Sequence, residues 1–71
     1  MSRPPGEAKG LGKAIQRARL GQSWSQTELS ARSGVSRPTI ARAERGEQVS
    51  MRTVSKLADA LGLKFDLREE N

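Results

Sequence analysis

The chain has 71 residues, with 13 Lys and Arg against 8 Asp and Glu, a formal net charge of +5, and neither Cys nor His. This length allows a single domain with a small core, and the composition excludes disulfides, the usual zinc ligands and the commonest catalytic base and thiol nucleophile. The basic excess favours a polyanionic partner such as nucleic acid, although a solvated charged face without a partner also accounts for it.

The first two segments of the chain differ in pattern. Residues 1–10 are rich in Pro and Gly and show no apolar periodicity, which predicts a flexible N-terminal arm. From Leu11 onwards apolar residues recur at helical spacing, and Gly21 is placed to end this first helix.

One helix-start signal then occurs three times. Ser25, Ser36 and Ser50 are good N-cap residues, and each has apolar residues before and after it that can form a hydrophobic staple. A glycine follows each helical stretch and marks its end. The predicted helices cover residues 26–33, 37–45 and 51–61. Residues 11–62 are therefore predicted to form a compact all-α domain of four or five helices.

After the fourth helix the apolar period changes from 3.6 to 2. Leu63, Phe65 and Leu67 alternate with charged residues, which predicts a short β-strand in the C-terminal segment 63–71. A lone strand has no partner in a helical domain, so the segment either is a disordered tail or pairs with its copy in a second chain. In the second case the predicted dimer interface comprises Leu61, Leu63, Phe65 and Leu67.

The connection between the second and third helices is very short. A tight turn at residues 34–36 forces a large angle between two short helices, which predicts a helix-turn-helix over residues 26–45. If Ile40 faces the core, then Arg37, Arg42 and Arg45 lie on the outer face, where guanidinium groups can contact guanine O6 and N7 in the major groove. A cationic face without a partner is the alternative, because Arg is common on exposed helices.

A set of residues whose spacing can be compared with that of known domains is spread over all four predicted helices. They are Ile15, Arg19, Ser25, Gln26, Leu29, Gly34, Val35, Ser36, Thr39, Ile40, Glu44, Gly46, Leu57, Ala60, Leu61 and Gly62. With this set, residues 11–63 resemble the lambda-repressor-like domain of the Cro/cI, xenobiotic-response-element type. The resemblance implies a sequence-specific regulator of transcription that binds double-stranded DNA, a repressor in the first instance, acting as a homodimer on a palindromic operator.

The same resemblance implies roles for individual residues. Base reading is implied for Ser36, Arg37, Pro38 and Arg42. Phosphate binding is implied for Ser25, Gln26, Arg45, Ser50 and Arg52. A structural ion pair, rather than a DNA contact, is implied for Arg19 and Glu44. Pro38 departs from the family pattern because it has no hydrogen-bonding side chain, which leaves Arg37 and Arg42 as the main candidates for specificity.

A narrower resemblance concerns Trp24, Ser25 and Gln26 together with the alternating residues 63–67. These features resemble HipB-like antitoxins, which implies repression of the protein's own operon and binding of a HipA-like kinase toxin. A stand-alone repressor and an adaptor that mainly holds a partner protein are the alternatives. Trp24 is interpreted as a hydrophobic staple with Leu29, or else as an exposed anchor for a partner.

Enzyme activity is not expected. The sequence has no Gly-rich phosphate loop, no paired carboxylates, and no apolar run of the roughly 20 residues that cross a bilayer. We therefore predict no catalytic residues, no metal or other cofactor and no membrane association. The lack of Cys and of a signal peptide predicts a cytoplasmic protein, associated with the nucleoid through DNA.

Overall fold

The computed structural model describes residues 7–64 of the chain, and these residues contain four helices. They are α1 (Glu7–Gly21), α2 (Gln26–Ser33), α3 (Arg37–Glu44) and α4 (Met51–Leu61). Residues 7–64 contain no strand, so the prediction of an all-α domain is confirmed for this part of the chain. The bounds of α2 and α4 agree with those predicted, and α3 ends one residue earlier because Arg45 is its C-cap.

The first helix begins at Glu7, four residues before the start at Leu11 that the sequence pattern predicts. Residues 7–10 are helical, and residues 1–6 lie outside the described residues. Glu7, Ala8 and Lys9 belong to the residue types with good helix propensity. The cost of Gly10 within the helix, about 1 kcal/mol, is too small to delay the start of the helix to Leu11.

The three shorter helices begin at the predicted serines. The hydroxyl oxygens of Ser25, Ser36 and Ser50 accept hydrogen bonds from the backbone N–H three residues later, at 3.0, 3.3 and 3.1 Å. Such bonds satisfy N–H groups that have no partner within the helix. Helices α2 and α4 end at Gly34 and Gly62, whose φ angles of 77° and 70° lie in the left-handed region that favours glycine.

The centre of the core takes one side chain from each helix. Ile15, Leu29, Ile40 and Leu57 are at most 1% exposed. Trp24 is partly buried and packs against this core, while the guanidinium carbon of Arg32 lies 4.3 Å from the centroid of its ring. The indole thus lies between the core and a cation, as expected of a staple at the start of α2.

The C-terminal end of α4 belongs to the core of its own chain. Leu61 is 6% exposed, and Leu63 is partly buried against the same cluster. This leaves Leu61 little surface for the dimer contact that the sequence predicts. Leu63 and Lys64, the first residues of the predicted strand, lie in no strand, and residues 65–71 lie outside the described residues.

Helices α1 and α3 approach each other closely at Gly12. A Cβ atom on Gly12 would overlap the carbonyl oxygen of Ala43 and would lie 3.1 Å from the carbonyl oxygen of Glu44. The hydrogen atom of glycine is therefore what lets the two backbones come into contact. This contact holds the C-terminal half of α3 against α1 and fixes which of its faces points outward.

Candidate nucleic-acid interface

The turn between α2 and α3 has three residues with distinct tasks. Gly34 adopts the left-handed conformation and donates its N–H to the carbonyl of Ser30 at 2.9 Å, which ends α2. Val35 is buried in the core, and Ser36 caps α3. Because only three residues separate the two helices, α3 packs directly against α2, in the arrangement of a helix-turn-helix.

Helix α3 has a buried face and an exposed face. Ile40 and Ala43 are buried in the core cluster. Arg37, Pro38 and Arg42 are exposed, as are the capping residues Ser36 and Arg45 at its two ends. All four residues predicted to read bases therefore lie at the surface, at the N-terminal end or along the outer side of one helix. A helix presented in this way can enter the major groove of DNA.

The first turn of α3 carries polar side chains that differ in how many hydrogen-bond donors remain available. The Ser36 hydroxyl accepts from the Thr39 N–H and donates to Thr39 Oγ1 at 2.8 Å, so its proton is used within the cap. Among the side chains of residues 10–64, Arg37 has no ion-pair or hydrogen-bond partner, and its five donors are therefore not occupied by them. Of the residues predicted to read bases, Arg37 is thus the best suited to a forked contact with guanine.

The other two arginines of α3 share a carboxylate. Arg45 Nε lies 2.8 Å from Glu47 Oε2, and Arg42 Nε lies 3.7 Å from Glu47 Oε1. All three side chains are about half exposed. A phosphate or a base that approaches Arg42 or Arg45 therefore meets an arginine that already has a partner.

A second carboxylate, Glu44, forms a buried ion pair with Arg19 between α3 and α1. Arg19 Nε and Nη2 donate to its two oxygens at 2.7 and 2.9 Å, and Nη1 donates to the Trp24 carbonyl at 2.9 Å. The Glu44 side chain is only 3% exposed. The hydrogen bonds to Glu44 raise the pKa of Arg19; burial opposes this and the charge of Glu44 adds to it, so the guanidinium stays charged.

Glu44 also holds Gln26, one of the residues predicted to bind phosphate. Gln26 Nε2 donates to Glu44 Oε1 at 3.1 Å, which places the start of α2 beside the C-terminal end of α3. The structure thereby brings Gln26 close to the helix end that carries Arg45. The bond leaves the amide with one further N–H for a DNA oxygen.

The remaining residues predicted to bind phosphate lie at helix starts. Ser25 and Ser50 are exposed N-caps of α2 and α4, and Arg52 is exposed in the first turn of α4. The backbone N–H groups at these helix starts carry partial positive charge, which suits an anion. The Ser50 hydroxyl also donates to Thr53 Oγ1 at 3.0 Å, so, like Ser36, it can offer only its lone pairs to another donor.

Sequence reasoning missed two residues that shape this surface. Glu47 was not singled out, although a glutamate directly after the glycine that ends a basic helix is a readable signal. Gly12 was placed in the first helix without a role, although it lies three residues before Ile15 and hence on the apolar face of that helix.

One cavity of the described part of the chain is small and apolar. It measures about 80 Å³ and lies between α1, the loop after α3 and the start of α4, with Leu11, Val49 and Val54 among its lining residues. Pockets that hold drug-sized ligands or cofactors are several times larger. Among the described side chains, those of residues 10–64, no three carboxylate, His or Cys groups come together as metal ligands do. No helix of the described residues is long and apolar enough to span a membrane.

Comparison with models of protein families identifies the family of this chain. A helix-turn-helix family model matches residues 15–67, which include the C-terminal part of α1, all of α2, α3 and α4, and the turn between α2 and α3. A search of curated proteins found no match. The matching family is one of DNA-binding regulators and not of enzymes. The chain therefore belongs to the helix-turn-helix family of the Cro/cI type.

Proposed function

We propose that this protein is a cytoplasmic transcriptional repressor that binds an inverted-repeat operator as a homodimer. The observation that carries the proposal is the outer face of α3, where Ser36, Arg37 and Arg42 are exposed while Ile40 and Ala43 fasten the helix to the core. In this proposal Arg37 and Arg42 contact base edges, and Ser36 and Pro38 lie against the bases at the leading end of the helix. Backbone phosphates are bound by Ser25, Gln26, Arg45, Ser50 and Arg52.

Selection of binding sites from a pool of random duplexes tests the proposal. We expect the selected sequences to share an inverted repeat whose half-sites are about one helical turn, 34 Å, apart. Affinity should fall steeply with salt, because each phosphate that is neutralised releases counterions. Selected sequences without any common motif would contradict sequence-specific binding.

Replacing Arg37 by alanine is expected to weaken binding to the selected operator by about 1–3 kcal/mol and to relax the preference at one base pair of each half-site. The reason is the loss of a forked contact to one base. Arg52→Ala is expected to weaken binding to all sequences alike, since a phosphate contact carries no sequence information.

Lys13→Ala is the matched control, because it removes one exposed positive charge from α1, outside the recognition helix. Fluorescence anisotropy on the operator and on single-base variants measures all three proteins. An Arg37→Ala protein that keeps both the affinity and the base preference of the parent would show that α3 does not read bases as assigned.

The dimer is proposed to form through the C-terminal segment, with Phe65 and Leu67 pairing with the same residues of a second chain. Unpaired strand edges usually need a partner or protection, which supports this arrangement. Light scattering on the full chain and on a chain that ends at Lys64 tests it, since the shorter chain keeps the contact of Leu63 with the core. We expect a dimer that becomes a monomer on truncation. Equal masses would contradict pairing through this segment.

A second candidate function is that of an antitoxin that represses its own operon and binds a kinase-type toxin. The observation that favours it is the sequence pattern of Trp24, Ser25 and Gln26 combined with the alternation of residues 63–67. Co-expression with the protein encoded next to it tests this role. Growth arrest by the neighbouring protein alone, relieved by this chain, is the expected result; no toxicity of the neighbour would contradict it.

A further inference from the structure

Glu47 is the residue at which two exposed arginines of α3 meet. Its Oε2 atom lies 2.8 Å from Arg45 Nε, and its Oε1 atom lies 3.7 Å from Arg42 Nε. Among the side chains of residues 10–64, no other carboxylate pairs with either arginine. Two of the three arginines on the proposed DNA-binding face therefore share one acidic partner.

The backbone holds Glu47 in this place. Gly46 follows the C-cap of α3 with a φ of 86°, and its N–H donates to the Ala43 carbonyl at 3.0 Å. The Glu47 N–H donates to the Arg42 carbonyl, also at 3.0 Å. These two bonds form a Schellman motif, which turns the chain back along the last turn of the helix. The side chain of Glu47 consequently starts beside the side chains of Arg42 and Arg45.

Helix stability does not explain a carboxylate at this position. The C-terminal end of a helix carries partial negative charge, so an acidic side chain there is unfavourable. The two ion pairs are about half exposed, and exposed pairs contribute little to stability. The carboxylate of Glu47 instead occupies guanidinium N–H groups that would otherwise bind a phosphate oxygen.

We propose that Glu47 competes with DNA phosphates for Arg42 and Arg45 and thereby limits the affinity of the protein for DNA of arbitrary sequence. The inference rests on the proposed function, since it requires α3 to face DNA. On non-operator DNA a phosphate contact must displace the carboxylate. At the operator, base contacts compensate for this displacement. Glu47 thus lowers the affinity for DNA of arbitrary sequence without contacting a base.

The test is Glu47→Gln, which removes the charge and keeps the size of the side chain. Its matched control is Asp59→Asn, which changes the net charge equally at an exposed position in the C-terminal half of α4. The probe is a fluorescent 20-base-pair duplex of mixed sequence in about 50 mM salt. We expect Glu47→Gln to bind about three- to tenfold more tightly than the parent, and Asp59→Asn less than twofold. The difference should shrink as salt is raised, because these charges are exposed.

A double-mutant cycle separates competition for the arginines from a general effect of charge. In a protein that carries Arg42→Ala and Arg45→Ala, the proposal predicts that Glu47→Gln gains no more affinity than Asp59→Asn does. If the parent binds the duplex and Glu47→Gln equals Asp59→Asn, the role of Glu47 is overturned while the DNA-binding function stands. If neither the parent nor any variant binds the duplex, the proposed function itself fails.

Discussion

Replacing Arg19 by methionine is expected to lower the free energy of unfolding by about 3–5 kcal/mol, because it leaves the carboxylate of Glu44 buried without its cation. Glu44 is only 3% exposed and would retain one hydrogen bond, from Gln26. A domain of this size has a total stability of about 4–10 kcal/mol, so the variant should be close to unfolding at room temperature. Urea denaturation followed by far-UV circular dichroism measures the change.

Two further variants test the cause. Arg19→Lys keeps the charge but cannot form the forked contact, and we expect it to lose a substantial part of the same stability. The double variant Arg19→Met, Glu44→Leu removes both charges, and it should be more stable than Arg19→Met alone. A double variant that is less stable than the single one would show that packing of the long Arg19 side chain, and not the unpaired charge, dominates.

The second large effect is expected at Gly12. Replacing it by alanine should destabilise the protein by about 1–3 kcal/mol, because the new methyl group overlaps the carbonyl oxygen of Ala43. The overlapping atom belongs to the backbone of α3 and cannot turn aside as a flexible side chain would. The two helices must separate, and the buried residues between them lose contact. The thermal midpoint and the urea midpoint of the variant should both fall.

Gly10 provides the matched control in the same helix. A Cβ atom there meets nothing within 4 Å, so Gly10→Ala should stabilise the protein by about 0.5–1 kcal/mol through helix propensity alone. The two substitutions are chemically identical, two residues apart, and expected to have opposite signs. A stabilising Gly12→Ala would mean that α1 and α3 do not pack as closely as described.

Two carboxylates of the same segment, Glu44 and Glu47, differ in burial and therefore in the property that each is expected to affect. Glu44 is almost fully buried in its ion pair with Arg19, so its removal is expected to cost stability. Glu47, three residues later, is about half exposed beside Arg42 and Arg45, so its removal is expected to change DNA affinity and to leave the fold intact. The same type of side chain thus serves the core at one position and the surface at the next turn.

The sequence by itself determined the local elements of this protein. Ser25, Ser36 and Ser50 predicted the starts of three helices, and Gly34 and Gly62 predicted two of the ends. These predictions succeed because a cap or a left-handed residue acts on groups within three or four residues of itself, so the cause and the effect lie in the same stretch of chain. The outer position of Arg37 and Arg42 followed from the same helical periodicity.

Only the tertiary structure decided how the helices meet. Gly12 and Gly10 both lie in α1, but only Gly12 lies where the backbone of α1 meets that of α3. Leu61 was predicted to contact a second chain, but it is buried in the core of its own chain. The alternating pattern of the residues after Leu61 does not show which apolar side chains it contacts. The bond from Gln26 to Glu44 joins residues 18 positions apart. Such contacts depend on the crossing of packed helices, which depends on every side chain between them rather than on any local pattern.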